Sequence, residues 1–405
     1  MKKLIATILS ILALTTNAQI IDGAWSGSLK VGPMELPLVI NIVGDKCTLD
    51  SPAQGAKGIP SATNHISADS ISISIPTIGA TYSGKIANGK IAGNFTQMGQ
   101  SFPLTLSRGI EELNRPQEPK APFPYTTEEV TFANEAAGAT FGGTLTYPVS
   151  FVKGKTPVVL LVSGSGQQNR NEEVFEHKPF LVIADYLARN GIATLRYDDR
   201  GVGASKGGEL KTATTKEFAD DATAGVNLLR SLKKFGKVGV LGHSEGANIA
   251  FMIAAKGKAD FIISMAGIGV KGDTALTAQA NRILKLQGNP MQMTVSQYRF
   301  NVSMQNLPWL NWFIEYDPQA DIAAAKCPVM AINGNKDCQV ISEINLQAIK
   351  ATLPQNSKNM VKEYPDLNHL FQHCTTGLPT EYRTIEQTIF PKVLTDIATW
   401  IHSIK

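Results

Sequence analysis

Two patterns of apolar and polar positions divide the chain. From Ile20 to about Ser107 the pattern is short β-prone runs, clearest in Ser70-Ile71-Ser72-Ile73-Ser74-Ile75, where apolar residues fall at every second position. A period of two sends side chains to alternate faces and predicts a half-buried strand. Leu36-Pro37-Leu38-Val39-Ile40-Asn41-Ile42 and Lys90-Ile91-Ala92-Gly93-Asn94-Phe95 are further runs of this kind, and Asn88-Gly89 predicts a hairpin turn between two of them. No helical period appears. Residues 19–107 are therefore expected to form a small all-β domain, a barrel or a sandwich, with Trp25 in its core. That stretch holds no constellation of acids, histidines or cysteines.

Residues 108–127 are dense in proline and charge, as in Arg115-Pro116-Gln117-Glu118-Pro119-Lys120-Ala121-Pro122, and predict an extended linker. From residue 128 strands alternate with helices. Val158-Val159-Leu160-Leu161-Val162 is apolar throughout, as a strand buried on both faces requires. A helix is expected from Pro179, a strand at Ile192–Tyr197, and a helix opened by the capping box Thr214-Thr215-Lys216-Glu217 and running to about Phe235. Lys237–Leu241, Phe261–Met265, Pro328–Ile332 and Asn359–Glu363 read as strands, and a last helix lies near Ile397–Ile401. Alternating β and α predicts an α/β fold: a mostly parallel sheet with helices on both faces, whose ligands bind beyond the carboxyl ends of the strands. The insertion at about 268–326 is helical, carries many large apolar residues and is expected to cap the cleft.

Composition narrows the class. The chain has 405 residues, enough for two domains, with 43% hydrophobic and 18% charged residues. The net charge of +4 includes Lys2 and Lys3 and is unclustered, which argues against nucleic acid as a partner. Met1-Lys2-Lys3, an apolar run from Leu4 to Leu14 and small residues ending at Ala18 form the pattern of a signal peptide over residues 1–18. The run is shorter than the ~20 residues that span a bilayer, so no membrane span is expected and the mature chain is expected to be periplasmic or secreted. The four cysteines, Cys47, Cys327, Cys338 and Cys374, include no C-x-x-C pair, so neither a metal nor a redox site is expected. An oxidising compartment permits a disulfide, and Cys338 and Cys374 lie in two loops that the candidate site would bring together.

The candidate chemistry centres on Gly242-His243-Ser244-Glu245-Gly246, between the strand Lys237–Leu241 and an apolar helical run. This order, strand, G-x-S-x-G, helix, is a nucleophile elbow. A serine nucleophile needs a base, and the base an orienting acid. In this arrangement the chain order is serine, acid, histidine. Asp337 follows the strand Pro328–Ile332, and His369 follows Asn359–Glu363. Of six histidines, His373 is the competitor for His369, and Asp366 is the competitor for Asp337. The backbone N–H groups of Glu245 and of Ser165, in the loop Ser163-Gly164-Ser165-Gly166, are assigned to an oxyanion hole, with Gly166 or Gln167 as the alternatives to Ser165. Glu245 is otherwise expected to cap its helix, and Asp198-Asp199-Arg200 to fix a loop by pairing. Trp309, Trp312 and Phe313 are candidates for the substrate pocket.

Leu161-Val162-Ser163-Gly164-Ser165-Gly166, Tyr197-Asp198-Asp199-Arg200-Gly201-Val202-Gly203, the elbow, Gly334-Asn335-Lys336-Asp337 and Leu367-Asn368-His369-Leu370-Phe371 occur in that order. Together they resemble the bacterial α/β-hydrolase carboxylesterases that carry an N-terminal extension. The resemblance implies hydrolysis of a small-molecule ester, with Ser244 as nucleophile, Asp337 as acid, His369 as base and no cofactor. Gln168-Asn169-Arg170-Asn171 departs from it, since relatives usually have acidic residues there, which puts that loop's salt bridges in question. Relatives are often labelled peptidases, so a serine peptidase is the alternative; it would need carboxylates such as Asp273, Glu315, Asp317 or Asp321 to hold an amine. A β domain that binds a partner beside a degenerate hydrolase is the non-enzymatic alternative. Ester identity, acyl length and oligomeric state are not encoded in these motifs.

Overall fold

The computed structural model describes residues 21–31, 34–52, 56–111 and 113–404. The expected signal peptide, residues 1–18, lies outside the described residues. The chain forms two compact units, divided between residues 112 and 113.

The first unit is a closed barrel of eight antiparallel strands: β1 (Gly23–Val31), β2 (Met34–Val43), β3 (Lys46–Ser51), β4 (Ala56–Ile66), β5 (Ser70–Ile75), β6 (Ala80–Ala87), β7 (Lys90–Gln97) and β8 (Gln100–Arg108). Each strand pairs with the next in sequence, and Ser26 opposite Ser107 closes the ring. Closure removes the exposed sheet edges that would otherwise pair with other chains. The period of two decides what points inward: Ile71, Ile73 and Ile75 of β5 are buried beside Trp25, Ile40, Ile42 and Tyr82. The Asn88-Gly89 turn between β6 and β7 uses positive φ at both residues, 50° and 69°, as a type I′ turn demands.

The second unit is built on a nine-stranded sheet: β9 (Thr126–Asn134), β10 (Ala139–Tyr147), β11 (Val158–Val162), β12 (Ala193–Tyr197), β13 (Lys206–Gly207), β14 (Val238–His243), β15 (Phe261–Met265), β16 (Val329–Gly334) and β17 (Met360–Tyr364). Its order is β13-β10-β12-β11-β14-β15-β16-β17, with β9 pairing β10. The strands from β12 to β17 run parallel, and β10 is antiparallel to β9, β12 and β13. The central strands β11, β14, β15 and β16 are buried along their whole length, which explains the unbroken apolar run of β11 and the predominance of apolar residues in the others.

The helices are α1 (Pro179–Arg189), α2 (Thr215–Ser231), α3 (Glu245–Ala255), α4 (Gly272–Leu286), α5 (Val295–Ser303), α6 (Pro308–Phe313), α7 (Gln319–Ala324), α8 (Ser342–Thr352), α9 (Pro379–Tyr382) and α10 (Pro391–Ser403). The capping box at Thr214 and Glu217 is formed, and α2 stops at Ser231, short of Phe235. The second unit is an α/β-hydrolase fold. Helices α4 to α7 form the insertion between β15 and β16, with Val302, Leu310 and Ile314 as a small core of their own.

The proline-rich segment is not a free linker. Arg115 donates to the carbonyls of Glu176, Arg383 and Ile385, Gln117 bonds to residues 388 and 389, and Glu118 pairs with Lys178. Proline removes backbone donors, so these three side chains supply the anchoring instead.

Candidate active site

The turn at Ser244 is where local sequence and chemistry meet. Ser244 sits at φ 54° and ψ −120°, a conformation that costs a side-chain-bearing residue strain and is kept only where neighbours enforce it. A Cβ on Gly242 would lie 1.9 Å from the Gly246 carbonyl oxygen, and one on Gly246 would lie 2.1 Å from that of Val162. Both glycines are therefore required by the close passage of β14, α3 and β11. Hydrogen bonding of Ser244 N to the Met265 carbonyl, 2.8 Å, pins the turn to the next strand.

Asp337 follows β16 and is fully buried. Its Oδ1 accepts the backbone N–H groups of Gln339 (2.8 Å) and Val340 (2.9 Å), which fixes the carboxylate. Its Oδ2 stands 2.8 Å from Nδ1 of His369. An imidazole that donates from Nδ1 to a carboxylate leaves Nε2 as the basic nitrogen. His369, Ser244, Ser165 and Glu245 all line one cleft of ≈ 260 Å³. Neither competitor belongs to it: His373 is exposed and rests edge-on against Phe390, and Asp366 is exposed and pairs with Lys336.

Two donors of the loop after β11 are already engaged. The Gly164 N–H donates to Glu172 at 2.9 Å, and the Gln168 N–H donates to Asp199 at 2.9 Å. That leaves the N–H groups of Ser165, Gly166 and Gln167, of which Ser165 is the one whose residue lines the cleft with Ser244 and Glu245. A Cβ on Gly164 would come 3.1 Å from the Ser244 Cβ, so the loop lies directly against the nucleophile.

Two expectations are corrected, and the disulfide that an oxidising compartment would permit is not formed. Glu245 does not cap α3, whose N-cap Ser244 makes no side-chain cap bond. Its buried carboxylate instead accepts the Trp309 indole N–H at 2.8 Å. Burial raises the Glu245 pKa, against the opposing pull of Thr215, Trp309 and Ser165. Trp312 does not line the cleft as Trp309 and Phe313 do; its ring stacks on Tyr316. Cys338 and Cys374 are unbonded, each turned toward a backbone carbonyl, of Gly377 and Asp366 respectively.

The loops hold as pairing predicts, with one reversal of sign. Arg200 pairs with Asp221, and Asp199 accepts from Ser163. Arg170, where acidic residues are usual, forks onto Asp198 and also bonds Glu129.

Sequence reasoning missed Glu172. It is buried, and its Oε1 lies 2.9 Å from Nδ1 of His243, whose Nε2 lies 2.9 Å from the His369 carbonyl oxygen. The chain Glu172–His243–His369 fixes the backbone of the candidate base. Burial lowers the His243 pKa, but Glu172, the His369 carbonyl and Asp337 together carry it above the ordinary value. Nothing short of the fold brings residue 172 to residue 243; the one sequence signal is the unexplained histidine inside the elbow.

None of the cap carboxylates named for a peptidase lines the cleft. Asp273 and Glu315 bond Arg299, and Asp321 accepts from Tyr316. Among the described residues no group of three or more His, Cys, Asp or Glu is placed to hold a metal, and no helix is long and apolar enough to cross a membrane.

The chain is similar to several known proteins. Residues 176–308 match the hydrolase family described as serine aminopeptidase, S33. Esterase EstD of Thermotoga maritima is 28% identical over 285 residues, a match covering 64% of this chain and 65% of the esterase's length. That is just under two thirds of the relative. Among solved structures, a Pyrococcus furiosus esterase covers 73% of this chain and 99% of its own at 19% identity and a TM-score of 0.47. Est1E of Butyrivibrio proteoclasticus covers 68% and 98% at 14% identity and a TM-score of 0.43. Sheet order, the serine turn and these likenesses are all those of an α/β-hydrolase fold, which this chain carries together with an N-terminal β-barrel unit.

Proposed function

We propose that the protein is a serine hydrolase of small or medium acyl carboxylic esters. The observation that carries this reading is the buried Asp337–His369 bond, which leaves His369 Nε2 as the base in the cleft that Ser244 also lines. In this account His369 takes the Ser244 proton as Ser244 attacks the ester carbonyl. The N–H groups of Ser165 and Glu245 stabilise the developing oxyanion. Asp337 holds the tautomer and steadies the imidazolium; His369 then protonates the departing alcohol. Water repeats the sequence on the acyl-enzyme and releases the acid. No cofactor enters the scheme. The basic start and apolar run at residues 2–14 support export and work outside the cytoplasm.

The matched family's aminopeptidase description supports a second reading, a short-peptide hydrolase. Against it, the cleft carboxylates Glu172 and Glu245 already hold His243 and Trp309. Hydrolysis of p-nitrophenyl acetate, butyrate and octanoate, beside peptide arylamides, separates the two. Ester turnover that disappears in Ser244→Ala supports the first reading. Cleavage of arylamides with no ester turnover replaces it with the second.

A further inference from the structure

A second cavity, of ≈ 370 Å³, lies behind the loop that follows β11. It shares Gly164, Glu245 and Trp309 with the cleft that holds Ser244. The partition between the two spaces is thus the Trp309 indole bonded to Glu245, with Trp309 stacked on Phe313 at 5.3 Å between ring centroids. The far walls are apolar, formed by Tyr197, Leu210, Ala213, Phe218 and Ile249.

Its polar walls carry little unpaired charge. Arg200 directs Nε and Nη2 to Asp221, at 2.5 and 2.9 Å, and Nη1 to the Glu209 carbonyl at 2.9 Å. Asp199 is held by Ser163 and by the Gln168 N–H, and burial pushes its pKa up to about 8. Glu245 is raised in the same direction by burial. The polar groups of the cavity are thus held within the fold, Arg200 by Asp221, Asp199 by Ser163 and Gln168, and Glu245 by Trp309, and what the space offers a ligand is mainly its apolar walls. A cavity of roughly 150 Å³ already holds benzene, and ligand sites begin near ~300 Å³.

We propose that this cavity is a second substrate subsite, which takes an uncharged apolar arm of the ester, up to a bicyclic aromatic ring, while the carbonyl sits at Ser244. Trp309 is the wall between the two subsites and sets what passes. This rests on the ester-hydrolase reading. Either arm of an ester, acyl or alcohol, has the required chemistry, and the experiment distinguishes them.

Two variants narrow the space: Ala213→Phe from within, and Leu210→Trp at the rim, where a 36% exposed side chain can be enlarged without disturbing the core. kcat/KM is measured on acetates of alcohols from methanol to naphthol, and on methyl esters of acids from acetic to naphthoic. The expected result is that the bulky-to-small ratio falls at least about tenfold in one series, since misfit in an apolar pocket by one methylene is worth ~10–200-fold. The responding series names the arm. Ratios within about twofold of wild type in both series and both variants overturn the proposal, as does a wild-type enzyme that turns over neither naphthyl ester. Absence of any Ser244-dependent ester turnover overturns the ester reading itself, and the subsite with it.

Discussion

Replacing Glu172 with Gln isolates the charge behind the candidate base. The side chain is nearly isosteric, and an amide oxygen can still accept from Gly164 N and His243 Nδ1, which both meet Glu172 Oε1 at 2.9 Å. What disappears is the attraction between carboxylate and imidazolium. Both groups are buried, so the near-zero value of exposed ion pairs does not apply. A hydrogen bond to a charged group is worth ~1.5–3 kcal/mol and a neutral one ~0.5–1.5, so with the neutral bond kept about 1 kcal/mol is the expected loss. At roughly 2–4 °C per kcal/mol for a unit of this size, the midpoint should fall by about 2–4 °C. The sign of the pH dependence follows from His243, whose pKa is raised in the fold. Its contribution is fully present below the ordinary histidine value of about 6.5 and is lost as pH rises through the folded value. The assay is thermal unfolding of both proteins from pH 5.5 to 9, following the transition of the hydrolase unit. The gap should be widest at the acid end and close toward pH 9. A gap of constant size across the range would refute the reasoning, because it would mean that Glu172 acts through shape alone.

Further outcomes follow from the same geometry. Asp337→Asn removes the acceptor at His369 Nδ1 and should lower kcat on the order of 10⁴-fold with little change in KM, measured on a p-nitrophenyl ester. Gly246→Ala places a methyl group 2.1 Å from the Val162 carbonyl oxygen and should abolish soluble, folded protein or displace the serine turn; circular dichroism and activity report which. Trp309→Phe keeps an aromatic ring but strips the N–H from Glu245, and should cost about 1–2 kcal/mol in denaturant unfolding; an unchanged midpoint would show that the indole bond is not formed in solution.

Much of this architecture was legible in the chain because its signals are local. The Ser/Ile alternation of β5, the unbroken apolar run of β11 and the box at Thr214 and Glu217 each declare a structure within a few residues. The serine turn is legible for the same reason, since only glycine tolerates the contacts at 242 and 246. What the chain hides is decided by pairing across distance. Glu172 gains meaning only beside His243, 71 positions later, and Glu245 only when Trp309 folds over it, 64 positions later. The proline-rich stretch looks like a spacer because its composition lacks an apolar period, yet Arg115 and Gln117 find carbonyls some 270 positions away. Trp312 and Trp309 are equivalent in sequence, and the helical turn between them sends one to Tyr316 and the other to the cleft. The second cavity is assembled from β11, β12, α2, α3 and the insertion, and no single segment announces it.

The central claim is that Ser244 is an activated nucleophile. It is tested most directly by treating the folded protein with a fluorophosphonate and locating the adduct by peptide mass spectrometry. The account predicts one stoichiometric adduct, on the peptide containing Ser244, strongly slowed in Asp337→Asn and absent in Ser244→Ala. No adduct on the wild-type protein, or an adduct on another residue that persists in Ser244→Ala, would contradict it.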